Sequence, residues 1–215
     1  MSSLPVHPTG DSPAVELYCR HCIAEGADVS HGEFTRMLSR FREGDAEVDA
    51  HLMEMAYRDL RRLAQRHLGG SRWIATLNTT SLVNESYLRL FAPASRHVEN
   101  RHHFFALASR IMRHIVCDYA KSRIRASKRI DRETESETAI ARLDAELSDA
   151  HEMLRIDEAL EELAKANERQ SRIIECRFFA GMTEVETANA LNIPLRTVQR
   201  EWEKAREWLG QYLAP

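Results

Sequence analysis

The sequence predicts an all-α protein made of two small helical domains joined by an acidic linker. Three observations predict it. Apolar residues recur at three- and four-residue spacing along most of the chain, with no convincing strand alternation and no internal repeat. Gly and Pro stop signals separate these periodic stretches. The charge also changes sign midway. Arg101 to Ile130 carry eight Lys/Arg against one acid, Asp118, whereas Asp131 to Glu162 carry twelve acids against three Arg. A basic stretch followed by an acidic one fits a nucleic-acid face leading into a linker.

With 215 residues the chain is long enough for one medium domain or two small ones. Its net charge of −3 leaves no global basic footprint, so any nucleic-acid face must be local. No apolar run approaches membrane-spanning length, and Met1 to Asp11 lack a basic-then-apolar signal pattern. The expectation is a cytoplasmic protein with no membrane partner.

Residues 1–30 carry Pro and Gly early and little periodicity, and read as a mobile tail with a short helix near Val15 to Ala24. The first domain is expected over 31–129. Phe34, Met37, Leu38 and Phe41 mark its first helix, ending near Gly44. Val48, Leu52, Met55, Ala56, Leu60, Leu63 and Leu68 mark a long second one, stopped by Gly69 and Gly70. Leu82, Val83, Tyr87, Leu88 and Phe91 mark a third, broken by Pro93. Asn100 caps a fourth, whose apolar face includes Phe104, Leu107, Ala108, Ile111 and Ile115 and which runs out into Lys121 to Arg129. Residues 130–150 read as the linker, partly helical around Ile140 to Leu147.

The second domain is expected over 151–215 and ends in a helix-turn-helix. Leu154, Ile156, Leu160 and Leu163 form its first helix, and Arg169 to Phe179 its second. Thr183 is a good N-cap, and Glu186 three residues on completes a capping box. Val185, Ala188 and Leu191 are expected to face inward. Asn192 sits where the turn needs a left-handed residue, and Pro194 suits a helix start. Val198, Trp202, Ala205 and Leu209 form the apolar stripe of the last helix, leaving Arg196, Thr197, Gln199, Arg200 and Lys204 on or near its exposed side. Arg and Gln read base edges bidentately, and Lys neutralises phosphate. A plain solvated helix face would look similar. The agreement of cap, turn and face favours DNA.

Cys117 and Cys176 lie on apolar stripes and read as buried reduced thiols. Cys19 and Cys22 form a lone CxxC without a second ligand pair, so incidental thiols are favoured over a metal clip or thiol switch. No metal and no cofactor is expected. No HExxH, Gly-rich phosphate loop or GxSxG is present, which argues against an enzyme.

Two helical units, the second closing in a helix-turn-helix, resemble the extracytoplasmic-function (ECF) group of sigma-70 factors over roughly His31 to Leu213. Ser81 to Leu90 (SLVNESYLRL) looks like the domain 2 helix that docks on the β′ clamp helices of RNA polymerase. Arg172 to Thr183 looks like the entry to domain 4, and Thr197 to Arg206 like the helix that binds the minus-thirty-five element. The resemblance implies an alternative sigma factor, not an enzyme, whose partners are core RNA polymerase (β′ clamp helices and β flap) and promoter DNA. Docking would use Leu82, Val83, Glu85 and Arg89. The loop from Ala92 to Asn100 and the start of the next helix would hold single-stranded minus-ten bases. Arg110, Arg113, Lys121, Arg123 and Arg125 would track phosphates there, and His102, His103 and Phe104 would be placed to stack, with Phe104 equally suited to the core.

One departure stands out. The docking helix of most ECF factors begins with an acidic run, and the corresponding positions here are Asn78, Thr79, Thr80 and Ser81. Hydroxyls replace carboxylates that would meet basic residues of the clamp. The expectation is a phosphorylation switch at Thr79, Thr80 or Ser81, worked by a Ser/Thr protein kinase, with Thr79 and Thr80 the first choices. The plainer alternative makes Thr80 or Ser81 an N-cap and nothing more. The competing functional class is a stand-alone helix-turn-helix regulator, against which the basic stretch from Arg110 to Arg129 argues.

Overall fold

The computed structural model describes residues 31–41, 43, 46–69, 77–95, 97–128 and 136–214. The expected tail with its short helix, Cys19 and Cys22, Gly70 and Arg129 lie outside the described residues. Seven α-helices and no strand occur among those described: α1 (His31–Phe41), α2 (Ala46–Leu68), α3 (Thr79–Leu90), α4 (Arg101–Ser127), α5 (Glu137–Ile174), α6 (Glu184–Leu191) and α7 (Leu195–Leu213). A 3₁₀ turn at Pro93–Ser95 follows α3, and a π turn at Glu175–Phe179 follows α5.

The first four helices close around aromatic rings. Phe34 meets Phe104 edge-on at 5.4 Å, and Phe41 meets Phe91 edge-on at 5.3 Å. Phe104 is fully buried, so it is core and not a base-stacking residue. Arg101 fixes the start of α4: it pairs with Asp59 of α2 at 2.6 Å and lies over the rings of Phe34 and Phe105. Asn100 caps α4 as expected, its side chain accepting from the His103 N–H at 2.9 Å.

The segment read as a linker is helical from Glu137 onward and runs without interruption into the helix expected to start near His151. Ser136 caps it. The only non-helical backbone inside α5 is Asn167, with φ −156° and ψ 92°. Its side chain accepts from the Gln170 N–H at 3.2 Å and so caps the following turn. That kink is the division expected between the helices of Leu154–Leu163 and Arg169–Phe179.

The buried residues of both halves form one contiguous cluster, from Phe34 to Ala205. α4 packs on α5, on α6 and on the π turn. The two halves therefore share an interface, where sequence reading expected only a tether.

Candidate nucleic-acid interface

The helix-turn-helix is built as its sequence dictates. The Thr183 N–H and hydroxyl donate to the Glu186 carboxylate at 2.8 and 2.9 Å, and the Glu186 N–H donates back to the Thr183 hydroxyl at 3.2 Å. Asn192 adopts the left-handed conformation, φ 51° and ψ 48°, that turns the chain between α6 and α7. Pro194 is the N-cap of α7.

The inward face of α6 differs from expectation. Thr187 and Ala190 are its buried residues, Ala188 and Leu191 are half-buried, and Val185 is 56 % exposed. The capping box explains the rotation. Glu186 must turn back to Thr183, and the Thr187 hydroxyl donates to the Thr183 carbonyl at 2.8 Å, so Val185 is carried outward.

On α7, Val198 and Ala205 are buried, while Trp202 and Leu209 are half-buried against the core. Arg196, Gln199, Arg200 and Lys204 are exposed and Thr197 is half-buried. Two nearby acids hold part of this face. Gln199 donates to Glu184 at 2.9 Å, and Arg200 pairs with Glu201 at 3.0 Å. Glu201, which sequence reading missed, also accepts from Gln170 of α5 at 2.8 Å. That bond, with Arg200 adding to it, holds the Glu201 carboxyl below the usual carboxylate range. Arg177 lies over the Trp202 ring at 5.0 Å and ties the π turn to α7.

The basic residues of α4 have a different environment. Arg113 is only 4 % exposed. It pairs with Asp157 of α5 and with Glu175 of the π turn, the latter at 2.7 Å, and lies over the Phe179 ring. Lys121 stands 4.0 Å from Asp157, and Arg123 pairs with Glu146 at 2.6 Å. The expectation that Arg113 tracks phosphate therefore fails in this arrangement, because its guanidinium is buried between two carboxylates. Lys121 and Arg123 face acids of the same chain. Arg110 and Arg125 are exposed. His102 and His103 are half-buried, and the His103 ring accepts from the Glu99 N–H at 3.3 Å.

The π turn places one acid of this junction, Glu175. The Ala180 N–H reaches back five residues to the Glu175 carbonyl, and the Met182 N–H reaches the Cys176 carbonyl at 2.9 Å. The widened turn buries Glu175, Cys176 and Phe179 together. Phe179 stacks on His67 of α2 at 5.8 Å, and His67 shares a hydrogen bond with Ser109 at 3.0 Å. Burial, then the charges of Arg113 and Arg66, push the His67 imidazole down to about 3. Gly181 follows at φ +66°, and a side chain there would meet the Arg66 guanidinium, which donates to the Ala180 carbonyl. Burial pushes both the Cys117 and Cys176 thiols up to about 12, which fits inert reduced cysteines.

The docking candidates divide by exposure. Leu82 and Val83 are buried at 0 % and 1 %, so they hold α3 from inside and present nothing to a partner. Leu88, not singled out as a contact, is 72 % exposed. Arg89 joins Glu85 at 3.0 Å and Asp118 of α4 at 3.4 Å on the same exposed side. Asn78, not Thr80 or Ser81, caps α3, accepting from the Ser81 N–H at 2.8 Å. Thr79, Thr80 and Ser81 thus fill its first turn, which contains no acid.

Comparison with known proteins decides the family. The profile described as ECF sigma factor matches residues 31–214. The chain belongs to the ECF sigma factor family. ECF factors are non-enzymatic transcription initiation factors that act with core RNA polymerase on promoter DNA, and the stand-alone regulator is not favoured. No curated protein sequence matches the chain. Among solved structures it is similar to CnrH in complex with the cytosolic domain of CnrY, with 14% identity, 83% of this chain and 96% of that one covered, and a TM-score of 0.36. Among the described residues, no helix is long and apolar enough to cross a membrane, and no His, Cys, Asp and Glu cluster could hold a metal.

Proposed function

We propose that this ECF sigma factor docks on core polymerase through α3 and is switched on by phosphorylation of the first turn of that helix. The observation that carries the switch is the composition of that turn: three hydroxyls, no carboxylate, and a cap supplied by Asn78 outside it. The hydroxyls are therefore not required as caps. Thr80 is the exposed one, whereas Thr79 and Ser81 are half-buried, so Thr80 is the first target for a Ser/Thr kinase. A phosphate there adds about −1.5 to −2 charge. It sits where unsatisfied helix N–H groups favour an anion by roughly 0.3–1 kcal/mol. Glu85, Leu88 and Arg89 complete the outward face offered to the β′ clamp helices.

In this reading residues 31–129 act as sigma domain 2, with the loop from Ala92 to Asn100 and α4 handling the minus-ten element. Residues 151–215 act as domain 4, meeting the β flap and reading the minus-thirty-five element through Arg196, Thr197, Gln199, Arg200 and Lys204. Core-binding and run-off transcription assays on wild type, Thr79→Glu, Thr80→Glu and the matching Ala variants test the switch. The Thr80→Glu protein is expected to bind and transcribe where wild type and Thr80→Ala do not. Equal core binding by the unmodified and phosphorylated or Glu forms would sink it.

A further inference from the structure

Glu201 is a buried acid, 7 % exposed, in a helix whose outer side carries Arg196, Arg200 and Lys204. Its two oxygens have different partners. Oε2 accepts from the Gln170 amide of α5 at 2.8 Å. Oε1 accepts from two nitrogens of Arg200, Nε at 3.1 Å and Nη2 at 3.0 Å. Successive residues of a helix do not face each other, so this pair forms because the Arg200 side chain bends back along its own helix. Gln170 is fixed in turn, its N–H donating to the Asn167 side chain at the kink of α5. A line of contacts thus runs from the kink through Gln170 and Glu201 to Arg200.

That line ends in an open edge. A guanidinium offers N–H groups along two edges of a rigid fork. Glu201 takes the side edge, Nε with Nη2. The end edge, one N–H from each of Nη1 and Nη2, is left over. Arg200 leaves α7 about 200° around its axis from the buried Val198, on the side away from the core, and its side chain is 62 % exposed. Two parallel N–H groups match the O6 and N7 acceptors that guanine shows in the major groove. We propose that Glu201 is a positioning residue that aims Arg200 at a guanine of the minus-thirty-five element, with Gln170 as its anchor. The inference rests on the reading of α7 as the minus-thirty-five helix. An arginine already held in place has less rotamer freedom to lose on binding, so its fork discriminates better. The carboxylate that holds it is buried, and so serves Arg200 without facing the phosphates.

The test selects from duplexes randomised over about ten base pairs, one helical turn, with the full chain bound to core polymerase. Wild-type and Thr80→Glu chains are both used, so that docking does not limit the selection. The face is expected to fix one position as guanine. Arg200→Ala is expected to lower that preference about tenfold and to keep the rest of the selected sequence. Glu201→Gln keeps the shape of the side chain and removes its charge, and is expected to relax the same position roughly threefold. Gln170 is only half-buried, so Gln170→Ala, expected to relax that position too, carries the test if Glu201→Gln does not fold. On the selected duplex, a guanine analogue with carbon in place of N7 is expected to weaken the parent chain and to leave Arg200→Ala unaffected. Full guanine preference in a folded Glu201→Gln chain, or an equal loss across all sequences, overturns the positioning and leaves the sigma reading standing. If Arg200→Ala weakens every sequence alike and lowers the salt slope by about one, Arg200 holds phosphate and the inference fails. If neither parent chain selects any sequence, the reading of α7 as a base-reading helix fails with it.

Discussion

The basic faces of α4 and α7 were equally visible in the sequence and meet opposite fates in the fold. On α7 the acids that touch this face come from nearby, Glu184 on the Gln199 amide and Glu201 on Arg200, and the face stays exposed. On α4 they come from 23 to 62 residues further along, and Arg113 ends up buried. Local composition therefore shows that a helix is basic, but not whether the chain keeps that charge for a partner. Sequence distance between charge and countercharge separates the two cases.

The largest expected effect breaks this comparison at its centre. Arg113→Ala leaves Asp157 and Glu175 buried without their cation and is expected to cost about 3–5 kcal/mol by denaturant unfolding. Arg200→Ala on α7, where the guanidinium is exposed and Glu201 keeps its bond from Gln170, is expected to cost under about 1 kcal/mol. Equal costs would mean that the two faces are energetically alike.

The second prediction uses pH. The buried His67 imidazole titrates near 3, below its ordinary 6.5, so the unfolded chain takes up the proton first. Stability is then full above pH 6.5 and falls as pH drops from 6.5 toward 3. Between pH 7 and pH 5 the loss is expected to be about 2 kcal/mol. His114 is lowered in the same direction, chiefly by burial and then by Arg113. Melting curves of wild type and His67→Gln across that range check it. The variant is expected to show the shallower slope, because it carries no imidazole against Phe179.

Much of the second half was legible because its signals are local. The Thr183 capping box, the left-handed Asn192 and the stripe of Val198, Trp202, Ala205 and Leu209 each depend on residues within a turn or two. Asn100 as a cap and the burial of Cys117 and Cys176 follow the same logic. The helical run of α5 through the expected linker was less legible, since an acidic Ala/Leu-bearing segment fits a solvated tether or a helix docked on cations. Its partner lies across the fold. The π turn was not legible, because it ends its helix and too few residues follow it there to show a slip in the apolar phase. The outward turn of Val185 was missed because the capping box, not apolar periodicity, sets the phase of so short a helix.

Two smaller effects sharpen the contrast. Gly181→Ala forces an unfavourable positive φ and a collision with Arg66, so it is expected to cost about 1–2 kcal/mol and to loosen the junction of the halves. Thr183→Ala removes only the cap of α6 and is expected to cost about 1 kcal/mol. Amide hydrogen exchange separates the two. The Gly181 variant is expected to speed exchange in α4 as well as α6, and the Thr183 variant in α6 and α7 alone. Faster exchange in α4 for the Thr183 variant would show that the halves respond as one.

The π turn also sets a rule for insertions and deletions. Each residue of an α-helix advances the chain by about 100° around its axis. Removing one residue from Glu175–Phe179 would let ordinary helical bonding resume, yet it would swing everything downstream through that angle. Arg177 would leave Trp202, Phe179 would leave His67, and the base-reading side of α7 would point elsewhere. The helix-turn-helix is keyed to the rest of the chain by a count of residues: a substitution in this short segment acts at one side chain, whereas a change in its length turns everything that follows.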